Sequence, residues 1–212
     1  MNKTKVKELF EIFKKNNEKP ETELIYHNNY QLLVAVVLSA QSTDKGVNKA
    51  TKELFRLVRH PQEMVEIGEE SLLNHIKTIG LFRNKGKNVM SLSKILVENH
   101  NGEVPNTREE LESLPGVGRK TANVVLNVAF GQKTMAVDTH IFRVSNRLGL
   151  VNAKNVKECE DQLLKVIPDN YLIDSHHWLI LHGRYVCKAR SPICGECNVY
   201  DLCEYKEKII KI

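Results

Sequence analysis

The chain has 212 residues, of which 42% are hydrophobic and 27% are charged, and its net charge is +5. This balance is typical of a globular protein with its own core and excludes a disordered or collagen-like chain. The longest apolar run, residues 32–38, is too short to span a bilayer, and the polar N-terminus lacks a secretion signal, so we expect a cytoplasmic protein that is not inserted in a membrane.

Helical periodicity runs along almost the whole chain. Apolar residues recur with the spacing of amphipathic helices, no segment alternates with a period of two, and Pro and Gly residues separate the segments. The pattern predicts helices over about 3–15, 30–40, 44–58, 62–67, 70–76, 84–99, 108–113, 119–130, 139–147, 155–166 and 173–184. The sequence therefore predicts an all-α fold.

The net charge is distributed unevenly. Residues 119–212 carry +4 of it and residues 1–118 carry +1. An excess of this size suits an anionic partner without requiring one.

The segment Leu114–Ala122 reads Leu-Pro-Gly-Val-Gly-Arg-Lys-Thr-Ala and predicts a tight turn between two helices. Gly116 and Gly118 allow positive φ angles and leave room beside the backbone N–H groups that begin the next helix. Such a helix start suits a phosphate group, and Arg119 adds a cation. A purely structural corner between helices also favours Pro and Gly, but the complete string favours the phosphate site. A weaker copy of this pattern covers residues 76–85 and has Leu81 at its turn.

Two charged residues near this segment could carry chemistry. Lys120 follows the turn directly, where an amine could bind a phosphate or act as a nucleophile. Asp138 comes after a short apolar stretch and before a predicted helix. Its carboxylate could cap that helix or assist proton transfer. The residues alone leave these alternatives open.

Four of the five cysteines lie close together, as Cys187-x6-Cys194-x2-Cys197-x5-Cys203. In a reducing compartment such a set favours a metal site over disulfides. Zinc ribbons usually contain two close cysteine pairs, whereas this set has one pair with a single cysteine on either side, as iron–sulfur proteins also have. The spacing alone leaves zinc and iron–sulfur equally open.

Several of these motifs together resemble the endonuclease III family, the bifunctional DNA glycosylase/lyases of the helix-hairpin-helix superfamily. The resemblance covers essentially the whole chain and rests on the four cysteines and on residues 38–44, 114–122, 136–140 and 177–184. It implies removal of oxidised pyrimidines from damaged double-stranded DNA, followed by cleavage 3′ to the abasic site through a lysine Schiff base. It assigns the catalytic roles to Lys120 and Asp138, and it makes the cysteines the ligands of one [4Fe–4S] cluster.

The resemblance also implies residues that contact DNA. Gln41 would fill the gap that a flipped nucleotide leaves, and Leu81 would enter the opposite strand. One helical face with no acidic residue carries His140, Arg143 and Arg147. This pattern favours contact with DNA phosphates, and a solvated face is the alternative. Lys188 and Arg190 lie between the first two cysteines and would reach the DNA backbone.

We expect two helical domains with the active cleft between them. One covers residues 20–132 and carries the helix-hairpin-helix motif at about 108–130; the other combines residues 1–19 with 133–212 and holds the cluster. We expect a monomer, located with the bacterial nucleoid through DNA. Three alternatives remain: the adenine-mismatch branch of the superfamily, which lacks a lysine at the position of Lys120, a DNA-binding module without activity, and an iron–sulfur electron carrier.

Overall fold

The structure is a computed structural model that describes residues 1–209, and these residues form helices and connecting turns without any β-strand. The prediction of an all-α fold is confirmed. The helices are α1 (Lys3–Asn16), α2 (Asn29–Ser39), α3 (Asp44–Leu57), α4 (Pro61–Ile76), α5 (Phe82–Asn99), α6 (Arg108–Ser113), α7 (Arg119–Phe130), α8 (Thr139–Leu148), α9 (Val156–Val166) and α10 (Leu172–Tyr185). None of the helices in this part of the chain is both long and apolar enough to cross a membrane.

Many of these helices have a residue with a short polar side chain at the N-cap. Each accepts a hydrogen bond from a backbone N–H in the first turn and so satisfies one of the donors that a helix start leaves unpaired. The residues that do so at α1, α2, α3, α6 and α9 are Asn2, Asn28, Thr43, Thr107 and Asn155. The helix boundaries therefore follow from local sequence, which is why periodicity predicted most of them within one or two residues.

The predicted break between helices 62–67 and 70–76 is present, whereas one other feature was not predicted. Within Pro61–Ile76, Gly68 has a φ of 77° and a non-helical backbone, so two helical segments meet there at a kink. Three short 3-10 turns, Asp169–Tyr171, Cys194–Glu196 and Tyr200–Leu202, were not predicted. They are each three residues long, which is too short to show a period in the sequence.

The chain divides into two compact units. The hairpin unit is Thr22–Gln132, and the cluster unit combines Met1–Glu21 with the chain from Lys133 onward. In the hairpin unit, every residue of α2 from Tyr30 to Leu38 is buried, and α2 contacts α3, α5 and α7. Helix α2 is therefore the centre of this core, and the other helices are placed around it.

The core of the cluster unit joins the first helix of the chain to its last part. Phe10 of α1 packs against Phe13, Tyr171 and Trp178, with ring centroids 5.8–6.2 Å apart. The indole N–H of Trp178 donates a hydrogen bond of 2.8 Å to the carbonyl of Asn17. Cys159 is fully buried in the same core, as expected of a packing residue.

Candidate nucleic-acid interface and catalytic residues

The turn between α6 and α7, residues 114–118, is here called the glycine turn. Gly116 has a φ of +79°, and a Cβ atom built there would lie 2.9 Å from Cβ and Nδ2 of Asn88. Both the backbone conformation and the packing against α5 therefore require glycine. At Gly118 an added Cβ would meet no atom within 4 Å. The surroundings of Gly118 leave open space outside the turn, where a ligand could approach the backbone.

This open space lies at the N-terminus of α7. Gly118 occupies the N-cap position with an extended backbone (φ −99°, ψ 177°), and no side chain among residues 1–209 caps the helix. The first N–H groups of α7 are therefore available to an anion, and the helix dipole adds to the attraction. Phosphate binding at Gly116 and Gly118 stays a prediction.

Lys120 lies in the first turn of α7, and its side chain is exposed. Its amine makes no hydrogen bond and no ion pair with any residue in the range 1–209. An amine that is not already neutralised by a carboxylate can approach an electrophilic carbon without first breaking an interaction. Lys120 lies one residue after Arg119, which begins α7, and its role as a nucleophile stays a prediction.

Asp138 is the N-cap of α8 and is held from three sides. Its Oδ1 accepts hydrogen bonds of 2.9 Å from the backbone N–H groups of His140 and Ile141, and its Oδ2 lies 3.0 Å from Nδ1 of His140. The capping interpretation of Asp138 is therefore correct. It does not compete with a catalytic role, because these contacts fix the orientation of a partly exposed carboxylate.

Gln41 and Leu81 both adopt left-handed backbone conformations, which are uncommon for residues other than glycine. Their φ angles are 54° and 58°, and 58% of the Leu81 surface is exposed. Gln41 lies in the loop 40–43 after α2, here called the glutamine loop, and Leu81 in the turn 77–81 before α5, here called the leucine turn. The two segments are neighbours, since a Cβ built on Gly80 would lie 4.0 Å from the carbonyl oxygen of Gln41.

Arg143 and Arg147 of α8 bind backbone carbonyls within the cluster unit. The Arg143 guanidinium donates hydrogen bonds to the carbonyls of Gly183 and Cys187, at 2.8 and 3.1 Å. The Arg147 guanidinium donates to the carbonyls of Lys188 and Ala189, at 2.8 and 2.9 Å. Both arginines therefore fix the segment that begins at Cys187. Their predicted contacts with DNA phosphates, like that of His140, stay predictions.

The four cysteines line one cavity, together with apolar side chains that include Leu148, Val186 and Ile193. Burial raises the pKa of the Cys197 and Cys203 thiols, and the neighbouring cysteines add to the increase because they would bring further negative charge. No group of three or more His, Cys, Asp or Glu side chains in residues 1–209 could hold a single metal ion. A [4Fe–4S] cluster needs a different arrangement, with one thiolate for each of its four irons.

Two side chains approach the cysteine sulfurs from α8 and α10. Nη1 of Arg147 lies 3.7 Å from Sγ of Cys187, and Nε2 of His182 lies 3.8 Å from Sγ of Cys197. Burial lowers the pKa of His182 to about 4, so its imidazole is neutral at physiological pH. Polar side chains near the cysteine sulfurs and an apolar wall suit thiolate ligands of an iron–sulfur cluster, so these residues fit the cluster.

Lys188 and Arg190 lie between the first two cysteines, and both are exposed. The carbonyls of this short loop accept the Arg147 hydrogen bonds, so its backbone is held while its basic side chains extend into solvent. That arrangement suits an approach to DNA phosphates.

Comparison with known proteins decides the family. Residues 34–169 match the family model described as "HhH-GPD superfamily base excision DNA repair protein". Residues 187–203 match the one described as "iron-sulfur binding domain of endonuclease III". Endonuclease III of Haemophilus influenzae is 56% identical over 209 residues, which cover 99% of each chain. The chain belongs to the endonuclease III family. The predictions of the family, of a base excision repair enzyme and of an iron–sulfur cofactor are confirmed.

Solved structures of endonuclease III with DNA have the same fold. A covalent intermediate trapped on DNA has a TM-score of 0.88 and 46% identity, and a non-covalent DNA complex has a TM-score of 0.89 and 45% identity. Each alignment covers 96% of both chains.

Sequence reasoning missed two residues near these sites. Lys85 is a lysine that the structure buries, and His182 is the histidine beside Cys197. The available signals for Lys85 were its place one helical turn after Leu81 and its position at the end of the weaker copy of the turn pattern, residues 76–85. For His182 the available signal was its place on the helix that leads to Cys187, five residues before it.

Proposed function

We propose that the protein excises oxidised pyrimidines from double-stranded DNA and then cleaves the strand 3′ to the abasic site, with Lys120 as the nucleophile and Asp138 as the assisting carboxylate. The family supports this reaction class, and the residue assignment rests on one observation. The Lys120 amine is exposed and unpaired among residues 1–209, and it lies directly after the uncapped start of α7.

The proposed reaction balances without an oxidant or a reductant. After its ammonium proton has passed to solvent, the amine of Lys120 attacks C1′ of the damaged nucleotide, the N-glycosidic bond breaks, and the base leaves with a proton. Opening of the sugar ring then gives a Schiff base between Lys120 and C1′. Loss of a proton from C2′ expels the 3′ phosphate by β-elimination, and water releases the enzyme.

Asp138 assists this sequence by its charge and by proton transfer. Positive charge develops on the sugar as the base departs, and a fixed carboxylate stabilises it. The hydrogen bonds from His140 and Ile141 hold the carboxylate in a single orientation, so it needs little reorganisation during the reaction. A positioned acid–base group typically contributes about 10²–10⁴-fold.

The remaining candidates position DNA rather than react with it. The start of α7 and the basic side chains of Lys188 and Arg190 bind phosphates, which fixes the duplex without reading its sequence. Gln41 and Leu81 enter the stack once the target nucleotide is flipped out. Arg143 and Arg147 support this binding indirectly, because they hold the loop that carries Lys188 and Arg190.

The cysteines Cys187, Cys194, Cys197 and Cys203 hold the [4Fe–4S] cluster in this proposal. Bound there, the cluster supplies cross-links among four thiolates in a segment too short to form a core of its own. The proposed excision transfers no electrons, so the contribution of this segment is structural. We further propose that the protein acts as a monomer and is located in the cytoplasm, at the nucleoid.

Asp138→Asn provides the test of this assignment. The amide keeps an oxygen for the backbone N–H groups of α8, so the variant is expected to fold and bind DNA as the wild type does. Excision of thymine glycol should slow by about 10²–10⁴-fold because the carboxylate charge is lost. Single-turnover rates on iron-loaded protein measure this effect. Unchanged rates would show that Asp138 only caps the helix.

A further inference from the structure

Lys85 is a buried lysine in the first turn of α5, directly after the leucine turn. Only 5% of its surface is exposed, and burial lowers the pKa of its ammonium group. Within residues 1–209 it forms no ion pair. A buried ammonium without a carboxylate costs stability, so its presence calls for a compensating role.

Among residues 1–209, the Lys85 side chain makes one hydrogen bond, and its acceptor lies in the glutamine loop. Its Nζ donates to Oγ of Ser42 over 2.8 Å. Ser42 is the residue that follows Gln41, and its backbone N–H donates to the carbonyl of Ser39 at the end of α2. The Lys85 ammonium therefore binds the loop directly beside the residue that is to fill the gap in the DNA.

The backbone of Lys85 is bonded to the other segment. Its N–H donates a hydrogen bond of 3.0 Å to the carbonyl of Leu81, the N-cap of α5, as the first i→i−4 bond of this helix. One residue thus contacts both DNA-entering segments, by its backbone at the leucine turn and by its side chain at the glutamine loop. Both Gln41 and Leu81 have left-handed backbones, which persist only where the surrounding structure determines them.

We propose that Lys85 is a positioning residue which, through its bond to Ser42, fixes the glutamine loop against the leucine turn so that Gln41 and Leu81 enter the duplex together. This inference rests on the proposed roles of Gln41 and Leu81. It adds that base extrusion depends on the separation of the two segments and not only on their side chains. Holding them in place before binding avoids the ordering cost that two independent loops would incur.

The test compares two substrates. Lys85→Met keeps the length of the side chain but removes the ammonium, and Ser42→Ala removes the hydroxyl. Each is expected to slow excision of thymine glycol from a fully paired duplex by about tenfold, and strand cleavage at a ready-made abasic site by less than about twofold, because no base is extruded there. The double variant should be no slower than Lys85→Met, since both changes break one bond. Ser42→Thr, which keeps a hydroxyl, should retain wild-type rates.

Lys94→Met is the matched control, because Lys94 is an exposed lysine on the same helix. It should leave both rates unchanged. A second readout is the fluorescence of 2-aminopurine placed opposite the lesion, which rises when that strand is unstacked. The rise should be slower in Lys85→Met than in the wild type.

Three results would overturn the inference: equal losses on both substrates, additive effects in the double variant, or no loss in Lys85→Met. A lower melting temperature of Lys85→Met together with equal losses would make Lys85 a structural residue. Failure of the wild type to excise thymine glycol would instead contradict the proposed function, so the two failures are distinguishable.

Discussion

The leucine turn and the glycine turn both join two helices of the hairpin unit, but they expose different groups. The leucine turn presents a large apolar side chain, since Leu81 is the left-handed N-cap of α5 and 58% of its surface is exposed. The glycine turn presents backbone, since Gly118 is an extended N-cap with open space beside it. Similar sequence patterns thus give one turn suited to entering a base stack and another suited to binding a phosphate.

This difference shows that the residue at the N-cap determines which group a turn exposes to a ligand. A side chain at the position of Gly118 would occupy the space in front of the first N–H groups of α7. A glycine at the position of Leu81 would remove the apolar group that can replace a base–base contact. We therefore expect changes in the two turns to affect different steps, and the following predictions are ordered by the size of the expected effect.

The largest effect belongs to Lys120, directly after the glycine turn. Lys120→Gln removes the amine that attacks C1′, so base release and strand cleavage should both fall by at least about 10³-fold. DNA binding should remain within about threefold, because other contacts hold the backbone. Single-turnover kinetics and fluorescence anisotropy measure the two quantities. Strand cleavage that survives in this variant would assign the chemistry to another residue.

Leu81→Ala is expected to have an intermediate effect that depends on the substrate. Excision from a fully paired thymine-glycol duplex should slow by about tenfold, because the inserted side chain offsets part of the cost of unstacking. Strand cleavage at an abasic site should change by less than about twofold, since no base is expelled there. An equal loss on both substrates would indicate a folding defect, and no loss on either would leave Leu81 without a role at the duplex.

Gly118→Ala is expected to have a smaller effect that does not depend on sequence or damage. The added methyl group meets no protein atom, so the protein should lose no more than about 1 kcal/mol of stability. Affinity should fall by roughly fivefold, the equivalent of one backbone hydrogen bond, and equally for damaged and undamaged duplexes. An effect confined to damaged DNA would contradict the phosphate role.

Gly116→Ala is expected to lower the stability of the protein and to leave its DNA affinity almost unchanged. Its φ of +79° and the approach of 2.9 Å to Asn88 mean that alanine strains the fold itself. The free energy of unfolding should fall by about 1–3 kcal/mol. At temperatures where the variant is folded, its DNA affinity should stay within about twofold of the wild type. Thermal unfolding and anisotropy separate the two outcomes.

The sequence predicted the elements that depend on local pattern. The bounds of α6 and α7 were predicted without error, because Thr107 caps one helix and Pro, Gly and the apolar stripe delimit the other. Burial depended on tertiary packing and was harder to predict. The amide side chain of Asn123 is of a type usually found in solvent, yet this residue is 1% exposed because α7 packs against other helices of its unit.

The roles of basic residues were predicted less well, for a physical reason. A lysine or arginine on a helix has the same pattern whether its charge reaches solvent, a carbonyl or a phosphate. The structure binds Arg143 and Arg147 to carbonyls near Cys187 and buries Lys85 against Ser42. These partners are 40 or more residues away in sequence, so only the fold could reveal them.

Borohydride reduction on DNA with an abasic site tests the central claim most directly. Reduction of the Schiff base fixes the lysine to the sugar, and proteolysis with mass spectrometry identifies the modified residue. The account predicts a single adduct on Lys120 in the iron-loaded wild type and none in Lys120→Gln. An adduct on Lys85 or on any other lysine, or the absence of an adduct in a wild type that still cleaves the strand, would contradict it.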